Sequence, residues 1–533
     1  MKTLRYTGQW ILAGLIATTT FSCKKDFEAI NTSPKDATEA PTPQVYNAII
    51  SSLPLTGGEQ SVFNAWIYPI TQQATVVGNS YPYDNAKSAA WNNYYFTLAN
   101  YRLLQSRIAA SENPSSMNNM YAMLKTIMAY KAFKTTNYFG DMPYSQAGYA
   151  PIEGAAGYTA KYDKQSDIYD SVLTDLEWAV NNFSTDASQF SLGDYETLLK
   201  GDITKWIKFA NSLRLYVAVL MYDKNNTLAA QHITDALSKP LLGDGEDIGL
   251  WPANIPGLDL QWRQWSFSAN CYLRMGSTMY NLMASGNATD GSDIFDPRCP
   301  IFFEPNNAGE WVAFPQNRDQ TSASEGGAPY DPKRFTNWPD KGAGNIYSPV
   351  NLYFEQDTKS IPELMLTAAQ VHFLKAEIYN RGLGTGADQG MAAAEYEAGI
   401  TASINMWTGI AYNSPVWVEN KPASATASPS DISNMLSQPT VAYNSSDASA
   451  ALKQIYAQLW IDQYRQPWDA WLLLRRTGGM TPMSTDNTDY YEAQYGKLNR
   501  FVYPDEEVRY NAANWKVATS GNDVNTNMIW INR

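Results

Sequence analysis

The stretch GDITKWIKFANSLRLYVAVLM, residues 201–221, decides the fold class of this chain. Its apolar side chains recur at spacings of four, three, four and three residues, at Trp206, Ala210, Leu213, Val217 and Leu220. Because an α-helix has 3.6 residues per turn, this spacing places them along one face of a helix. The stretch therefore predicts a long helix with one face buried in a core.

The same periodicity recurs along much of the chain. It is clear from Met120 to Met128 and again from Leu452 to Trp460. We predict further helices over residues 90–110, 166–182, 269–284, 362–381 and 389–407. Several of these lie in adjacent pairs, as in helix-turn-helix repeats, although no tetratricopeptide signature recurs at its period of about 34 residues. The pattern predicts an all-α protein.

Two stretches break the helical pattern. Residues 240–355 are rich in Gly, Pro, Asn, Asp and Trp, and residues 411–449 are rich in Ser, Asn and Pro. Long irregular segments on a compact domain are usually either functional or disordered. The aromatic content of the first stretch favours ordered, functional loops.

The N-terminus has the order of a secretory signal peptide. Lys2 and Arg5 precede the apolar run WILAGLIA, which is too short for a membrane-spanning helix of about 20 residues, and Cys23 follows small and hydroxyl residues. We predict a signal peptide at 1–22, a lipidated Cys23 with a tether at 23–45, and one large domain at 46–533. An ordinary signal peptide followed by an incidental cysteine is the alternative, because Thr20 stands where lipoprotein signals usually have an aliphatic residue.

Charge and composition exclude several classes of function. Without residues 1–22 the chain has 37 basic and 52 acidic residues, a net charge of −15, which disfavours nucleic acid. His232 and His372 are its only histidines, and no Cys/His cluster has zinc spacing, which argues against zinc enzymes and Ser-His-Asp hydrolases. The other cysteines, Cys271 and Cys299, could form a disulfide or remain two packed thiols.

Six stretches resemble, in order, motifs of the SusD/RagB family of outer-membrane nutrient-binding lipoproteins. The first is KKDFEAINTSP directly after Cys23, and the third is the helix at 201–221 with its Ala-Asn-Ser-Leu motif. The others are NYFGDMPYSQAG at 137–148, DPRCPIFF at 296–303, IPELMLTAAQVHFLKAEIYNRG at 361–382 and IYAQLWIDQYRQPWDAWLLLRRTGG at 455–479.

This resemblance implies a fold, a partner and a location. The fold would be a single large all-α domain with tetratricopeptide-like helix pairs and long irregular ligand-binding loops. The protein would be lipid-anchored at the outer membrane, facing outwards, as a lid on a SusC-like TonB-dependent β-barrel transporter. It would bind nutrients, have no catalytic residues and need no cofactor. Oligosaccharide and oligopeptide cargo both remain open, and a surface glycoside hydrolase is a weaker alternative.

Two polar motifs are candidate ligand sites. Arg475 and Arg476 could bind an anionic ligand. The favoured interpretation is structural, because a guanidinium that stacks on an aromatic ring and pairs with a carboxylate commonly fixes the end of a helix. The loop NATDGSDIFD, residues 287–296, has the acids of a calcium loop but lacks the EF-hand spacing and closing Glu, so we expect a solvated loop and leave calcium open.

Aromatic residues in loops are the predicted ligand contacts. With 35 Tyr, 17 Trp and 18 Phe, the chain can spare some rings from its core. The C–H face of a sugar can lie on an indole or phenol ring while its hydroxyls keep hydrogen bonds around the rim, and peptides can use the same surface. For each single ring, packing beneath a loop is the alternative. The candidates are Tyr81, Tyr83, Trp262, Trp265, Trp311 and Trp338.

Overall fold

The fold is described from a computed structural model. It describes residues 40–76, 84–258, 260, 273–306, 308–316, 346–351, 353–357, 359–418, 420–484 and 497–532. By backbone contacts the chain divides into two units, Met1–Val45 and Tyr46–Arg533. Within the described part, no helix is both long and apolar enough to cross a membrane.

The described residues are mostly helical, as predicted. In the first half, the α-helices are α1 Thr42–Ser51, α2 Gly57–Val62, α3 Tyr68–Thr71, α4 Asp84–Ala109, α5 Asn118–Phe139, α6 Ala150–Glu153, α7 Gln165–Asn182, α8 Ile203–Met221 and α9 Asn226–Leu237. In the second half they are α10 Ser277–Met283, α11 Cys299–Phe302, α12 Tyr353–Gln356, α13 Ala368–Arg381, α14 Gln389–Asn413, α15 Pro429–Ser437, α16 Ala448–Asp462, α17 Pro467–Arg476, α18 Asp505–Tyr510 and α19 Ala512–Thr519.

Short strands connect distant parts of the chain. Each described pair is antiparallel. Strand β1 (Thr75–Val76) pairs with β5 (Leu273–Arg274), β2 (Met142–Pro143) with β3 (Tyr162–Asp163), and β4 (Ile248–Leu250) with β6 (Glu363–Leu366).

The long helices pack as neighbouring pairs. Helix α5 packs on α7, α7 on α8, α8 on α9, and α13 on α14, while α13 also contacts α8 and α16. This is the predicted all-α arrangement of helix pairs. The helix of the opening stretch, α8, begins where the Asp202 side chain accepts a hydrogen bond from the Lys205 backbone, and Trp206 and Leu213 are buried as predicted. The prediction of a single buried face is wrong, because every residue from Phe209 to Met221 is buried.

Two predicted helices are wrong in their N-terminal part, as far as the structure describes it. The prediction of helix over 269–284 fails at Leu273–Arg274, which pairs with β1, and α10 begins only at Ser277. The prediction over 362–381 fails at Glu363–Leu366, which pairs with β4, and Thr367 then caps α13. In both places partners distant in sequence override the local pattern. The predicted irregular stretch 411–449 contains helix α15.

A buried arginine holds the Asp-Pro-Arg loop in the core. The Arg298 guanidinium donates to both Asp296 carboxylate oxygens, and its Nη2 lies 2.7 Å from Asp296 Oδ2. It also donates to Ser403 Oγ on α14 and Gln458 Oε1 on α16. This motif therefore joins the loop-rich middle to two helices. The adjacent Cys299 is a buried free thiol.

The last described segment, residues 497–532, returns to the helices of the first half. The Phe501 amide donates to the Tyr138 carbonyl at 2.7 Å, and the Ile531 amide donates to Gln165 Oε1 at 3.2 Å. Gly140, at φ +83°, ends α5 so close to this segment that a Cβ there would lie 2.7 Å from Ile529 Cγ2. The end of the chain is thus part of the core around α5.

Candidate functional site

The structure places one of the six predicted aromatic residues, Trp311. The other five, and the predicted anchor Cys23, lie outside the described residues: Tyr81, Tyr83, Trp262, Trp265 and Trp338. Their predicted roles therefore stay predictions.

Trp311 is largely buried, with 9% of its surface exposed. Its amide donates to the Thr289 carbonyl at 2.8 Å, which fixes it to the loop after α10. Gly291, at φ +77°, lies directly against the indole, and a Cβ there would come within 2.7 Å of Trp311 Cδ1. Because only glycine fits easily at this contact, Gly291 sets the position of the ring.

Trp311 lines a cavity of about 360 Å³ that is open to solvent on one side. Helix α10, the loop after it and the segment from Trp311 to Gln316 form its walls. Its lining is neutral, with amide, hydroxyl and apolar groups: Ser277, Tyr280, Asn281, Asn287, Thr289, Trp311, Val312, Ala313, Pro315 and Gln316. Trp311 is thus a wall of the cavity, not an open stacking platform.

Backbone hydrogen bonds hold the wall in place. The Phe314 amide donates to the Met275 carbonyl at 2.7 Å, and the Ser277 amide donates to the Phe314 carbonyl at 2.9 Å. On the other side, the Ser348 amide donates to the Val312 carbonyl at 2.8 Å. The cavity is therefore bounded by backbone that is paired to two other segments.

Tyr280 presents a phenol that keeps its proton. Burial, with a smaller contribution from Cys299 and the Asp293 and Asp290 carboxylates, raises the pKa of Tyr280 to about 12. The hydroxyl can therefore donate a hydrogen bond at any physiological pH. Sequence reasoning missed Tyr280 and Gln316, because in sequence they are an ordinary helix residue and an ordinary loop residue.

The acidic loop 287–296 uses its carboxylates locally. Asp293 accepts from the Ala288 amide at 2.8 Å, Asp290 accepts from the Ser292 amide at 3.0 Å, and Asp296 pairs with Arg298. Among the residues that the structure describes, no group of three or more His, Cys, Asp or Glu could hold a metal ion.

The two arginines of α17 have structural partners, which confirms the favoured interpretation. Arg475 stacks on Trp471 at 3.6 Å from the ring centroid and donates to three backbone carbonyls. Arg476 forms a two-pronged ion pair with the buried Glu377, which also binds Arg381. Neither guanidinium is left for a ligand.

A second cavity, of about 310 Å³, lies between α4 and α18. Trp91 and Tyr95 line it, beside the exposed ring of Tyr158. Glu506 and Glu507 also line it, and neither has a cationic partner in the described part of the chain. Because Glu506 and Glu507 give this cavity an acidic edge, it suits a neutral ligand less well than the cavity at Trp311, whose lining is uncharged.

Comparisons with known proteins agree on one family. A family model described as SusD-like, "starch-binding associating with outer membrane", matches residues 34–504. No curated protein matches the chain. The fold is similar to solved structures of a chitin-binding protein (22% identity, TM-score 0.70, covering 92% of this chain and 100% of the other) and of a chitin-binding SusD homologue from Flavobacterium johnsoniae (19%, 0.63, 92% and 97%). A SusD homologue from Parabacteroides distasonis is also similar (19% identity, TM-score 0.66, 92% and 98%).

Proposed function

Because the chain belongs to the SusD-like family of starch-binding proteins that associate with the outer membrane, we propose that it captures neutral oligosaccharides at the cell surface and passes them to a SusC-like TonB-dependent transporter. The family consists of binding proteins and not of enzymes. Oligopeptide capture is the alternative within the same family.

The cavity at Trp311 is the observation that carries this proposal. Its lining combines an indole wall with amides and hydroxyls and, among the described residues, bears no charged side chain. A neutral sugar has the same mixture of apolar C–H surface and hydrogen-bonding hydroxyls. The similar structures described as chitin-binding favour a glycan over a peptide.

We expect weak binding. A few ring contacts and hydrogen bonds would total about 4 to 6 kcal/mol, which corresponds to dissociation constants from about a millimolar to tens of micromolar. Weak capture suits a protein that must release its cargo to a transporter.

The binding test uses a glycan array together with a pull-down from mixed peptides. We expect neutral oligosaccharides to bind and the variant Trp311→Phe, which retains most of the buried volume, to weaken that binding. Phe96→Ala is the matched control, since Phe96 is 55% exposed and does not line the cavity. Binding of peptides alone would favour the alternative, and binding of neither would overturn the proposal.

Transfer to a transporter requires a partner at the membrane. We propose that Cys23 is acylated after removal of residues 1–22, because it directly follows a stretch with the order of a signal peptide. Several acyl chains on this residue would hold the protein at a bilayer far better than one. Purification from native membranes in mild detergent should then recover a large β-barrel with the protein. Recovery without any such partner would contradict the transfer step.

A further inference from the structure

The second cavity, between α4 and α18, combines exposed aromatic surface with carboxylates. Its volume is about 310 Å³, and Tyr158, with 71% of its surface exposed, forms part of its lining. Trp91 and Tyr95 on α4 also line it, with ring centroids 4.8 Å apart. Its lining includes Glu506 and Glu507, whereas the lining at Trp311 is uncharged. This combination indicates a different kind of ligand from a neutral sugar.

The two carboxylates have no cation of their own in the described part of the chain. Lys87 on α4 pairs with Asp505, at 3.2 Å, and not with Glu506 or Glu507. Glu506 is exposed and Glu507 is half-buried, so both are accessible to solvent. Acidic residues are favourable in the first turn of any helix, so their position in α18 does not by itself identify a site. The aromatic cavity beside them is the independent feature.

Hydrogen bonds fix the Glu507 carboxylate next to this cavity. Its Oε2 accepts from the Tyr162 hydroxyl at 2.7 Å and from Asn511 Nδ2 at 3.0 Å. Asn511 also donates to the carbonyl of Ala160, two residues after Tyr158, at 3.0 Å. One oxygen of Glu507 is therefore fully used, while Oε1 has no hydrogen-bond partner among the described residues.

The charge of Glu507 reaches the aromatic wall. Burial, with smaller contributions that include Tyr94 and the Glu507 carboxylate, raises the pKa of Tyr95 well above its usual range. The ring of Tyr162, whose hydroxyl binds Glu507, lies 6.5 Å from that of Trp91. The face of an aromatic ring attracts a cation, and so does a carboxylate. Both features of the cavity therefore favour a ligand of positive charge.

The free oxygen of Glu507 favours an ammonium over a guanidinium. A guanidinium binds a carboxylate best through two parallel hydrogen bonds, one to each oxygen. An ammonium is a compact charge that can bind through a single oxygen. Because Oε2 already accepts two hydrogen bonds, only this second mode is left at Oε1.

We infer that this cavity binds a primary ammonium group carried on a short carbon chain, with Glu506 and Glu507 holding the charge and Tyr158 covering the apolar stem. A free amine and the lysine side chain of a partner protein both carry this group. The cavity shares no residue with the one at Trp311, so the site stands whether or not that cavity holds a glycan.

The test compares small ligands by ligand-observed NMR titration of the purified protein at pH 7 and low salt. n-Butylamine, an ammonium at this pH, and 1-butanol have the same number of heavy atoms and differ in charge. We expect the amine to bind about tenfold more tightly, and high salt to remove most of this difference. n-Butylguanidine should bind more weakly than n-butylamine.

A further ligand, Nα-acetyl-lysine amide, distinguishes the two sources of the ammonium group. Binding tighter than that of n-butylamine supports the lysine side chain of a partner protein. Weaker binding supports a free amine.

Two variants remove one carboxylate each. Glu507→Gln keeps an oxygen acceptor for Tyr162 and Asn511, and Glu506→Gln changes an exposed side chain, so both should fold. Each should weaken binding of n-butylamine about threefold to tenfold and leave that of 1-butanol unchanged. Glu153→Gln is the matched control, because Glu153 is an exposed glutamate on α6 that does not line the cavity.

A third pair of variants tests the ring. Tyr158→Ala should weaken binding of n-butylamine about threefold, because it removes an aromatic face. Tyr158→Phe keeps that face and should bind as the wild type does.

The outcomes are decisive one by one. Equal binding of n-butylamine and 1-butanol would overturn the inference. Equal weakening by Glu153→Gln and Glu507→Gln would also overturn it, because the effect would then come from net charge. Tighter binding of n-butylguanidine would overturn the choice of an ammonium. Trp311→Phe should leave n-butylamine binding unchanged, so none of these results depends on glycan capture.

Discussion

The ion pair between Glu377 and Arg476 allows a stability change to be worked out from the structure. Both side chains are buried, and the carboxylate also accepts from Arg381 and from the Tyr456 hydroxyl. Burial alone would raise the pKa of Glu377, but Arg476 and Arg381 outweigh it and lower the pKa from 4.5 to about 2. This drop corresponds to about 3 kcal/mol of stability at neutral pH.

We therefore expect Glu377→Gln to destabilise the protein by about 3 to 5 kcal/mol at pH 7, since it also leaves a buried guanidinium without its carboxylate. The folded-state pKa lies below the unfolded one, so this stability is present above pH 4.5 and is lost as the pH falls towards 2. Lowering the pH from 7 to 3.5 should reduce the difference in free energy of unfolding between the wild type and the variant by about 1.4 kcal/mol.

Urea unfolding at several pH values measures both the destabilisation by Glu377→Gln at pH 7 and its decrease at lower pH. Glu397→Gln is the control, because Glu397 is an exposed glutamate on the neighbouring helix α14 and should change stability by less than about 0.5 kcal/mol. The reasoning would be refuted if Glu377→Gln lowered the free energy of unfolding by less than about 1 kcal/mol, or if the difference from the wild type did not depend on pH.

Three further predictions concern the cavity, the core and the anchor. Gly291→Ala should displace the Trp311 indole and weaken glycan binding in calorimetry, and unchanged affinity would show that the ring position is unimportant. Burial raises the pKa of Asp469 to about 7, so the wild type should lose stability relative to Asp469→Asn as the pH rises from about 4 to 7. Urea unfolding of both proteins measures this, and a difference in the free energy of unfolding that stays constant over that pH range would contradict it. Cys23→Ala should abolish fatty-acid labelling and release the mature protein from membranes, and retained labelling would exclude Cys23 as the anchor.

The sequence predicted the long helices from the helical spacing of their large apolar side chains. In α8, Trp206 and Leu213 are buried as that spacing predicts, but every residue from Phe209 to Met221 is buried too, so the helix is surrounded by protein along most of its length. It mispredicted Leu273–Arg274 and Glu363–Leu366, where apolar residues are buried by pairing with strands far away in the chain. A local period contains no information about such partners.

The candidate site could be predicted only in part, and for a different reason. Trp311 was found because a large ring in a polar loop is conspicuous. Tyr280 and Gln316 were not found, because what distinguishes them is the lack of a partner, and that property exists only once the surrounding segments are in place.

The return of residues 497–532 to helix α5 sets the order in which the molecule can be completed. Phe501 and Ile531 lie far along the chain from Tyr138 and Gln165, to which they bond. The core around α5 therefore cannot be completed until the last segment of the chain packs against it. A chain truncated before residue 497 would lack these contacts and leave that core open.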